Sequence, residues 1–513
     1  MLALDQRPVL VSAAQVVDRL DDGWRGLDPA EIIAEAVEKA IAVSGAADRL
    51  REIIDNVTLT RTFVDSVPEK IRYHFAPFGY SDGLPISVAD HLGLTGVTLQ
   101  YAQAGGQSPQ EQVAKLARAV ARGDCRAAVL CGGEAIGTMR HHQRSGTSVD
   151  WSEKTSGDFV DDGIGLDGMF VPYLARHKAL APTDIYPLFE HAKRHQLGED
   201  RAAYRQRLGR LLARLAEVAR DNPNSMFAMS ASADEIGTES AGNRVIADPH
   251  LKSMVAKDGV NQAAAVIITS YQQARELGLA ERAVFLNGYG IATETDVLNR
   301  PELGASPALH WAYAQALNTS GASLDDIDAF DLYSCFPVAV IEALEALGLD
   351  WEDPRPLTLT GGLPFFGGPG NSYSLHAIAS AVECIQAKEH QTVMVGALGG
   401  NLSKHAVGVY SSEPNDFDIT NEQPTFVSSG ESVQVNESYS GVVRVETFTI
   451  KSVPEGAWII AIGRALEDNR RVVSARVANE DDVSMLFLNG EPIGARIIVE
   501  PVENESHHIV GLG

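Results

Sequence analysis

The sequence predicts an α/β fold made of two copies of one βαβ-type unit, a long insertion in the first copy, and a small β-barrel after the second. Three observations carry this. Four local patterns recur in the same order, roughly 260 to 275 residues apart. About 110 residues of the first copy have no counterpart in the second. Near residue 412 the texture changes from helix-and-strand alternation to short β-branched segments split by turn residues.

The repeat begins with Val9-Leu-Val-Ser-Ala-Ala, matched by Val284-Phe-Leu-Asn-Gly-Tyr, each a short apolar strand running into small residues. Helical stretches follow and end in the same tripeptide, Ser44-Gly45-Ala46 and Ser320-Gly321-Ala322. Ile54 to Phe63 and Ile327 to Phe336 then share Ile, Asp, Leu and Phe at equivalent positions, and both read as buried strands. Each copy next reaches a Gly-Gly pair that opens a helix, Gly105-Gly106 and Gly367-Gly368. An apolar strand closes on a further pair, Gly132-Gly133 and Gly399-Gly400. Continuous apolar strands alternating with helices predict parallel-rich sheets covered on both faces.

Residues 137–245 are the insertion, with a Gly/Asp-rich loop from Asp161 to Gly168 and an Arg/Leu-rich helical stretch from Asp200 to Asp221. Insertions of this length between core strands supply lids, binding loops or contacts between copies. The polar run Ser411 to Glu422 reads as a linker. Beyond Thr425, strands are predicted at Val442–Ile450, Ala457–Ile462, Val472–Val477 and Gly494–Val499. Five or so such strands in about 100 residues suit a barrel of the oligonucleotide/oligosaccharide-binding (OB-like) kind. The expected boundaries are 1–275, 276–412 and 413–513.

Composition narrows the function. At 513 residues the chain exceeds what one core can hold. A formal charge of −26 repels phosphate backbones and anionic lipid, so neither nucleic acid nor a membrane is expected as a partner. An anionic small ligand would need local cations or helix N-termini to focus a positive field. No 18-residue apolar run and no basic-then-apolar start is present, so neither a membrane span nor a leader is expected. Four cysteines without CxxC spacing suit a reducing, cytoplasmic compartment, and no metal-ligand spacing appears.

Asp258-Gly259-Val260-Asn261-Gln262-Ala263-Ala264-Ala265 resembles the Asp-Gly-Ala-Ala-Ala segment that opens a core strand in thiolases. With the paired halves and the Gly-rich loops, the chain is identified as a member of the thiolase superfamily over roughly residues 7 to 412. The fused barrel places it with the thiolase-like protein type 1 group, near the sterol-carrier-type thiolases. The resemblance implies a five-layered αβαβα core, a coenzyme A ester as substrate or ligand, a role in lipid metabolism, and a homodimer through the sheet edge of the first half.

The family's chemistry depends on four motifs, and three have lost their reactive residue. The nucleophilic Cys is absent from Gln103-Ala104-Gly105-Gly106-Gln107-Ser108-Pro109, where Ser108 reads as an N-cap before Pro109. The motif that is His-Asp-Cys-Phe in sterol-carrier types is Tyr333-Ser334-Cys335-Phe336, which keeps the Cys. Gly-His-Pro has become Gly367-Gly368-Pro369, and Cys-x-Gly has become Ala397-Leu398-Gly399. His376 follows the third motif, and Lys404 and His405 follow the fourth. The conventional acyl-cysteine route is therefore not expected at its usual site.

Three readings stay open. A divergent acyltransferase would use Cys335 as thiolate with His405 or His376 as base. A retro-aldol lyase acting on a β-hydroxyacyl-CoA would use Tyr333 and Tyr373. A non-catalytic acyl-CoA or lipid-binding protein would hold the ligand through Gly105, Gly106, Ser108, Gly367, Gly368, Tyr373, Gly399 and Gly400. In that last reading Arg140, His141, His142 and Arg144 would meet the phosphates.

Overall fold

The computed structural model describes residues 2–166, 169–420, 425–427, 431–502 and 506–513. Twelve strands precede the predicted linker. In chain order they are Pro8–Val17 (β1), Ile54–Leu59 (β2), Thr98–Tyr101 (β3), Ala127–Ala135 (β4), Val160–Asp161 (β5), Val245–Ala247 (β6), His250–Leu251 (β7), Asn261–Ser270 (β8), Val284–Thr293 (β9), Ala329–Asp331 (β10), Thr392–Gly399 (β11) and Lys404–Ser411 (β12).

Ten of them form one path, β10-β11-β12-β9-β1-β8-β4-β2-β3-β5. The duplication is written into its ladder. From the middle outward, β9-β12-β11-β10 is matched by β1-β8-β4-β2. In each half the outer pair is parallel and the next two pairings are antiparallel. The halves join where Val9 and Leu10 pair antiparallel with Phe285 and Val284.

Small side chains on the strands let helices approach closely. Ala263, Ala264 and Ala265 on β8 are fully buried. The equivalent helices Ser108–Arg122 and Tyr373–Gln386 share one apolar cluster, with Val113, Leu116 and Val120 against Leu375, Ile378 and Val382. Strands of both halves contribute to that cluster, so these helices are the central layer. The helix Pro29–Val43 covers the first half with Ile33, Val37 and Ile41. It starts because Asp28 and Glu31 form a reciprocal capping box ahead of Pro29. Its counterpart Pro307–Ser320 covers the second half with Leu309 and Ala312. The result is the helix–sheet–helix–sheet–helix layering that the resemblance implied.

The equivalent segments from Ile54 and Ile327 are strands only over Ile54–Leu59 and Ala329–Asp331. Past those points the chain leaves the ladder and its polar side chains bond across the two halves instead, as in Thr60 Oγ1 to Ser372 Oγ at 2.6 Å. At the outer edge of the first half, β5 from the insertion pairs with Gln100 and Tyr101 of β3. Half of the β3 edge, near which a dimer was expected, is thus paired within the chain.

After β13 (Phe426–Val427), five strands close a barrel: Gly441–Val453 (β14), Gly456–Ala465 (β15), Arg471–Val477 (β16), Arg496–Val502 (β17) and Ser506–Leu512 (β18). Their order is β15-β16-β18-β17-β14, and β14 returns to β15. The sequence reading placed the fourth strand two residues early and did not name the fifth. A helix, Asp482–Asn489, sends Phe487 into the barrel core. β6, which begins at the end of the insertion, joins the barrel's ladder, because its Ala247 pairs with Lys451 of β14. Among the described residues no helix is long and apolar enough to cross a membrane.

Arg471 fastens the barrel to the second half. Its fully buried guanidinium donates to the carbonyls of Leu298 and Arg300 at 3.0 and 2.7 Å and to Glu446 at 2.8 Å. Removing a buried charged donor strands its acceptors, which costs on the order of 3 kcal/mol. Arg471→Met should therefore lower the melting temperature by several degrees, measured by calorimetry on the full chain. An unchanged melting temperature would show that the barrel is held by other contacts.

Candidate functional site

The Gly-rich loops of the two halves converge between the central helices and the ends of β4 and β11. Gly105 and Gly367, equivalent in the repeat, share an unusual backbone, with φ of 128° and 129°. Glycine is needed there because side-chain-bearing residues rarely take such angles. Gly105 N donates to Asn371 Oδ1 at 2.8 Å, and Ser374 Oγ donates to the Gly106 carbonyl at 2.6 Å. Each loop is thus held by the other half.

The space between the loops is filled. A Cβ on Gly106 would collide with the Tyr333 hydroxyl and the Leu398 carbonyl oxygen. One on Gly399 would collide with Oε1 of Gln107, whose side chain lies between Gly399 and Gly105. Ser108 is the first residue of its helix rather than the cap. Gln107 occupies the cap position, and Ser108 Oγ is buried with no partner among the described residues.

The predicted catalytic residues separate into two groups. Tyr333 and Tyr373 meet edge to face, ring centroids 5.4 Å apart. Burial raises both phenols above their ordinary range. The Tyr373 hydroxyl lies 2.6 Å from Thr360 Oγ1 and donates to Asp331 at 3.1 Å, so it is anchored on the far side. Cys335 keeps partial exposure, yet desolvation pushes its thiol up to about 12. Its side-chain partner is Tyr186 from the insertion, which donates to Gly400 O at 2.9 Å and accepts from Leu402 N at 3.0 Å.

The imidazoles bond elsewhere. His376 Nδ1 pairs with Gln15 Oε1 at 2.9 Å, and its ring meets Phe366. His405 Nε2 sits 3.2 Å from Ser306 Oγ. Burial lowers both to about 3, so they are neutral at physiological pH. The structure brings Tyr333, Cys335, Gly105, Gly106, Gly399 and Gly400 together and adds Tyr186. It does not bring His376 or His405 onto Cys335.

A groove of about 950 Å³ opens beside this centre, between the insertion and the Gly367-Gly368 loop. Its floor touches the centre directly, since Ala256 N donates to the Cys335 carbonyl at 3.1 Å and Gly368 N to the Lys257 carbonyl at 2.8 Å. Arg140, Arg144, Arg244, Lys252 and Lys257 line it. Arg140 is held by Asp258 through two 2.7 Å bonds. The other four have no carboxylate partner among the described residues. Lys257 lies 5.1 Å from the Phe227 ring centroid and 5.6 Å from that of Phe365. Burial, then Lys252, lowers its pKa. His141 and His142, predicted with the arginines, instead pack on Trp24 at 4.3 and 5.4 Å. Among the described residues one cluster has metal-ligand reach, His310, Glu342 and Glu345, but Lys193 Nζ already lies 2.5 and 2.6 Å from the two carboxylates.

No family model matches the chain. Among solved structures, a monomeric SCP2-thiolase-like protein type 1 from Mycobacterium smegmatis is 34% identical, with a TM-score of 0.81 over 99% of this chain and 100% of that one. The chain belongs to that family. Two further likenesses show the fold alone. The Ltp2-ChsH2(DUF35) aldolase is 17% identical, TM-score 0.59, over 80% of this chain and 98% of that one. Human mitochondrial 3-ketoacyl-CoA thiolase is 13% identical, TM-score 0.55, over 80% of this chain and 99% of that one. Curated 3-ketoacyl-CoA thiolases of Salmonella typhimurium and Salmonella typhi match at 26% identity over 129 residues, 25% of this chain and 32% of theirs.

In this type 1 chain Tyr186 and Lys257 escaped the sequence reading. Tyr186 lies more than 140 residues from Cys335 in a helix with no motif, and nothing local marks it. Lys257 immediately precedes the Asp258-Gly259 pair, and that adjacency is the one local signal that points to it.

Two outcomes follow from this geometry. Gly106→Ala should cost on the order of 1–3 kcal/mol through overpacking, read as a lower melting temperature. Alkylation of Cys335 by iodoacetamide should be slow at pH 7.5 and rise roughly tenfold per pH unit to pH 10 without levelling, since only the thiolate reacts. A plateau near pH 9 would contradict the desolvated thiol.

Proposed function

We propose that this protein binds an acyl-CoA or a related thioester in the basic groove and does not pass the acyl group through Cys335. The observation that carries the reading is the local reversal of charge. A chain of net charge −26 gathers five cations in one groove against two carboxylates, Glu235 and Asp258. Four of the cations lack a carboxylate partner among the described residues, and the groove floor is hydrogen-bonded to the Cys335 carbonyl and to Gly368. Arg144, Arg244 and Lys252 are exposed and Lys257 is half-buried, so together they focus a positive field along the groove. Burial of Lys257 adds a desolvation cost that an anionic ligand would offset. Phe227, Met229 and Phe365 supply the apolar surface that the rest of a CoA molecule would cover.

The acyltransferase reading needs a thiolate and a base. The Cys335 thiol is pushed up to about 12, and both candidate imidazoles are bonded to other groups. Carbon–carbon cleavage is a second reading, favoured by the Tyr333 hydroxyl standing against Gly106 at the centre of the converging loops. A monomer is proposed over the expected homodimer, because β5 pairs with half of the β3 edge and the M. smegmatis relative is described as monomeric.

The test is thermal stabilisation of the full chain by CoA and acetyl-CoA, combined with intact-mass analysis. Saturable stabilisation without a mass adduct is expected, weakening with added salt because the contacts are ionic. Lys257→Glu should weaken it at least tenfold. Acylated Cys335 would overturn the reading, as would stabilisation indifferent to Lys257→Glu. Turnover of a β-hydroxyacyl-CoA lost in Tyr333→Phe would establish the second reading instead.

A further inference from the structure

A second cavity lies on the opposite side of the Ile136–Ser145 helix from the basic groove, with Met139 facing one and Arg140 the other. Its free volume is about 60 Å³, room for a few waters or one small organic molecule rather than a nucleotide. The chemistry of its wall is the reverse of the groove's. Asp28, Asp65, Glu134 and Glu153 line it together with Phe78, Tyr80 and Trp151, and no Lys, Arg or His is among the lining residues.

Two of these carboxylates are already committed. Asp28 caps the Pro29–Val43 helix through Glu31 N. Asp65 accepts from Tyr101 at 2.6 Å and pairs with Arg72 at 3.2 Å, and the same Arg72 lies 5.2 Å over the Tyr80 ring. The protein thus satisfies one acid-and-aromatic pair with its own cation. The remaining set has none. Glu134 is 2% exposed, and its Oε1 accepts from Phe63 N at 2.6 Å. Its Oε2 has no hydrogen-bond partner among the described residues, and neither has the Glu153 carboxylate. Beside them Phe78 and Trp151 line the cavity with ring centroids 5.8 Å apart at 63°, and the His142 ring lies 6.0 Å from Phe78 outside the lining.

We propose that this cavity binds a small organic ammonium ion, such as an alkylated amine. Its positive charge would sit between Glu134 and Glu153, and its alkyl groups against Phe78 and Trp151. Aromatic faces and carboxylates together favour a poorly hydrated cation, because the ring quadrupole attracts the charge and the hydrocarbon covers apolar wall. Among the described residues no three of these carboxylates lie within metal-ligand reach of one another, so they do not form a cage for a metal ion. Burial, with the Asp65 and Asp258 charges, raises Glu134 to about 8, so near pH 7 it is largely protonated. Glu153 supplies the standing negative charge, and binding of a cation would draw the proton off Glu134.

The test is calorimetric titration of the full chain with tetramethylammonium chloride, with sodium chloride as ionic-strength control and tert-butanol as the neutral analogue of similar size. Saturable binding of the ammonium ion is expected, with tert-butanol at least tenfold weaker. Glu153→Gln and Trp151→Leu should each weaken the ammonium ion at least tenfold while leaving CoA-induced stabilisation unchanged. Glu153 is half-buried on a loop, so its Gln variant remains decisive if Trp151→Leu does not fold. Absence of saturable binding, equal binding of tert-butanol, or indifference to Glu153→Gln would overturn the proposal.

Discussion

The close approach of two glycine-rich loops, one from each copy of the repeat, constrains everything around the centre of this molecule. Gly105 and Gly106 come so near Gly399 that the Gln107 and Tyr333 side chains fill what separates them. That approach requires residues without a Cβ, a common positive φ at Gly105 and Gly367, and hydrogen bonds that cross between halves. The central helices can then pack into one cluster, and the sheet can run unbroken through the β1–β9 join. A site built this way is rigid because each loop is anchored by the opposite half.

The same geometry separates recognition from chemistry. At the centre, burial holds Cys335 and the tyrosines protonated and the two imidazoles neutral. Beside it, unpaired cations line a groove in an otherwise acidic protein. On the proposed reading the groove would supply the binding energy, while the groups that covalent catalysis would need are desolvated or engaged elsewhere. The insertion contributes both Tyr186 at the centre and much of the groove wall, so it defines the site rather than decorating the core. β6, which begins at its end, ties the site to the barrel.

The architecture was largely legible in the sequence because duplication repeats short-range signals. Strand–glycine–helix order is local, and two copies at a constant offset confirm one another. The barrel was legible from β-branched alternation, but its last strand was not, since Ser506–Leu512 mixes His and Gly into a short run. The site was legible only as loops. That Gly105, Gly106 and Gly399 meet follows from the repeat. That His376 turns to Gln15 and His405 to Ser306 does not, because each partner lies about 100 or more residues away and is reached only through the finished fold. The split of Arg140 and Arg144 from His141 and His142 has a simpler cause. Successive residues on a helix face different ways, so a run of basic residues seldom acts as one patch.

The most direct test of the account is a crystal structure of the full chain saturated with acetyl-CoA. The account predicts the ligand along the groove lined by Arg144, Arg244, Lys252 and Lys257, its thioester end stopping beside Ala256 and Gly368. Gln107 and Tyr333 would still fill the space between Gly106 and Gly399. A thioester lodged between those glycines with Gln107 displaced, or an acyl group on Cys335, would contradict it.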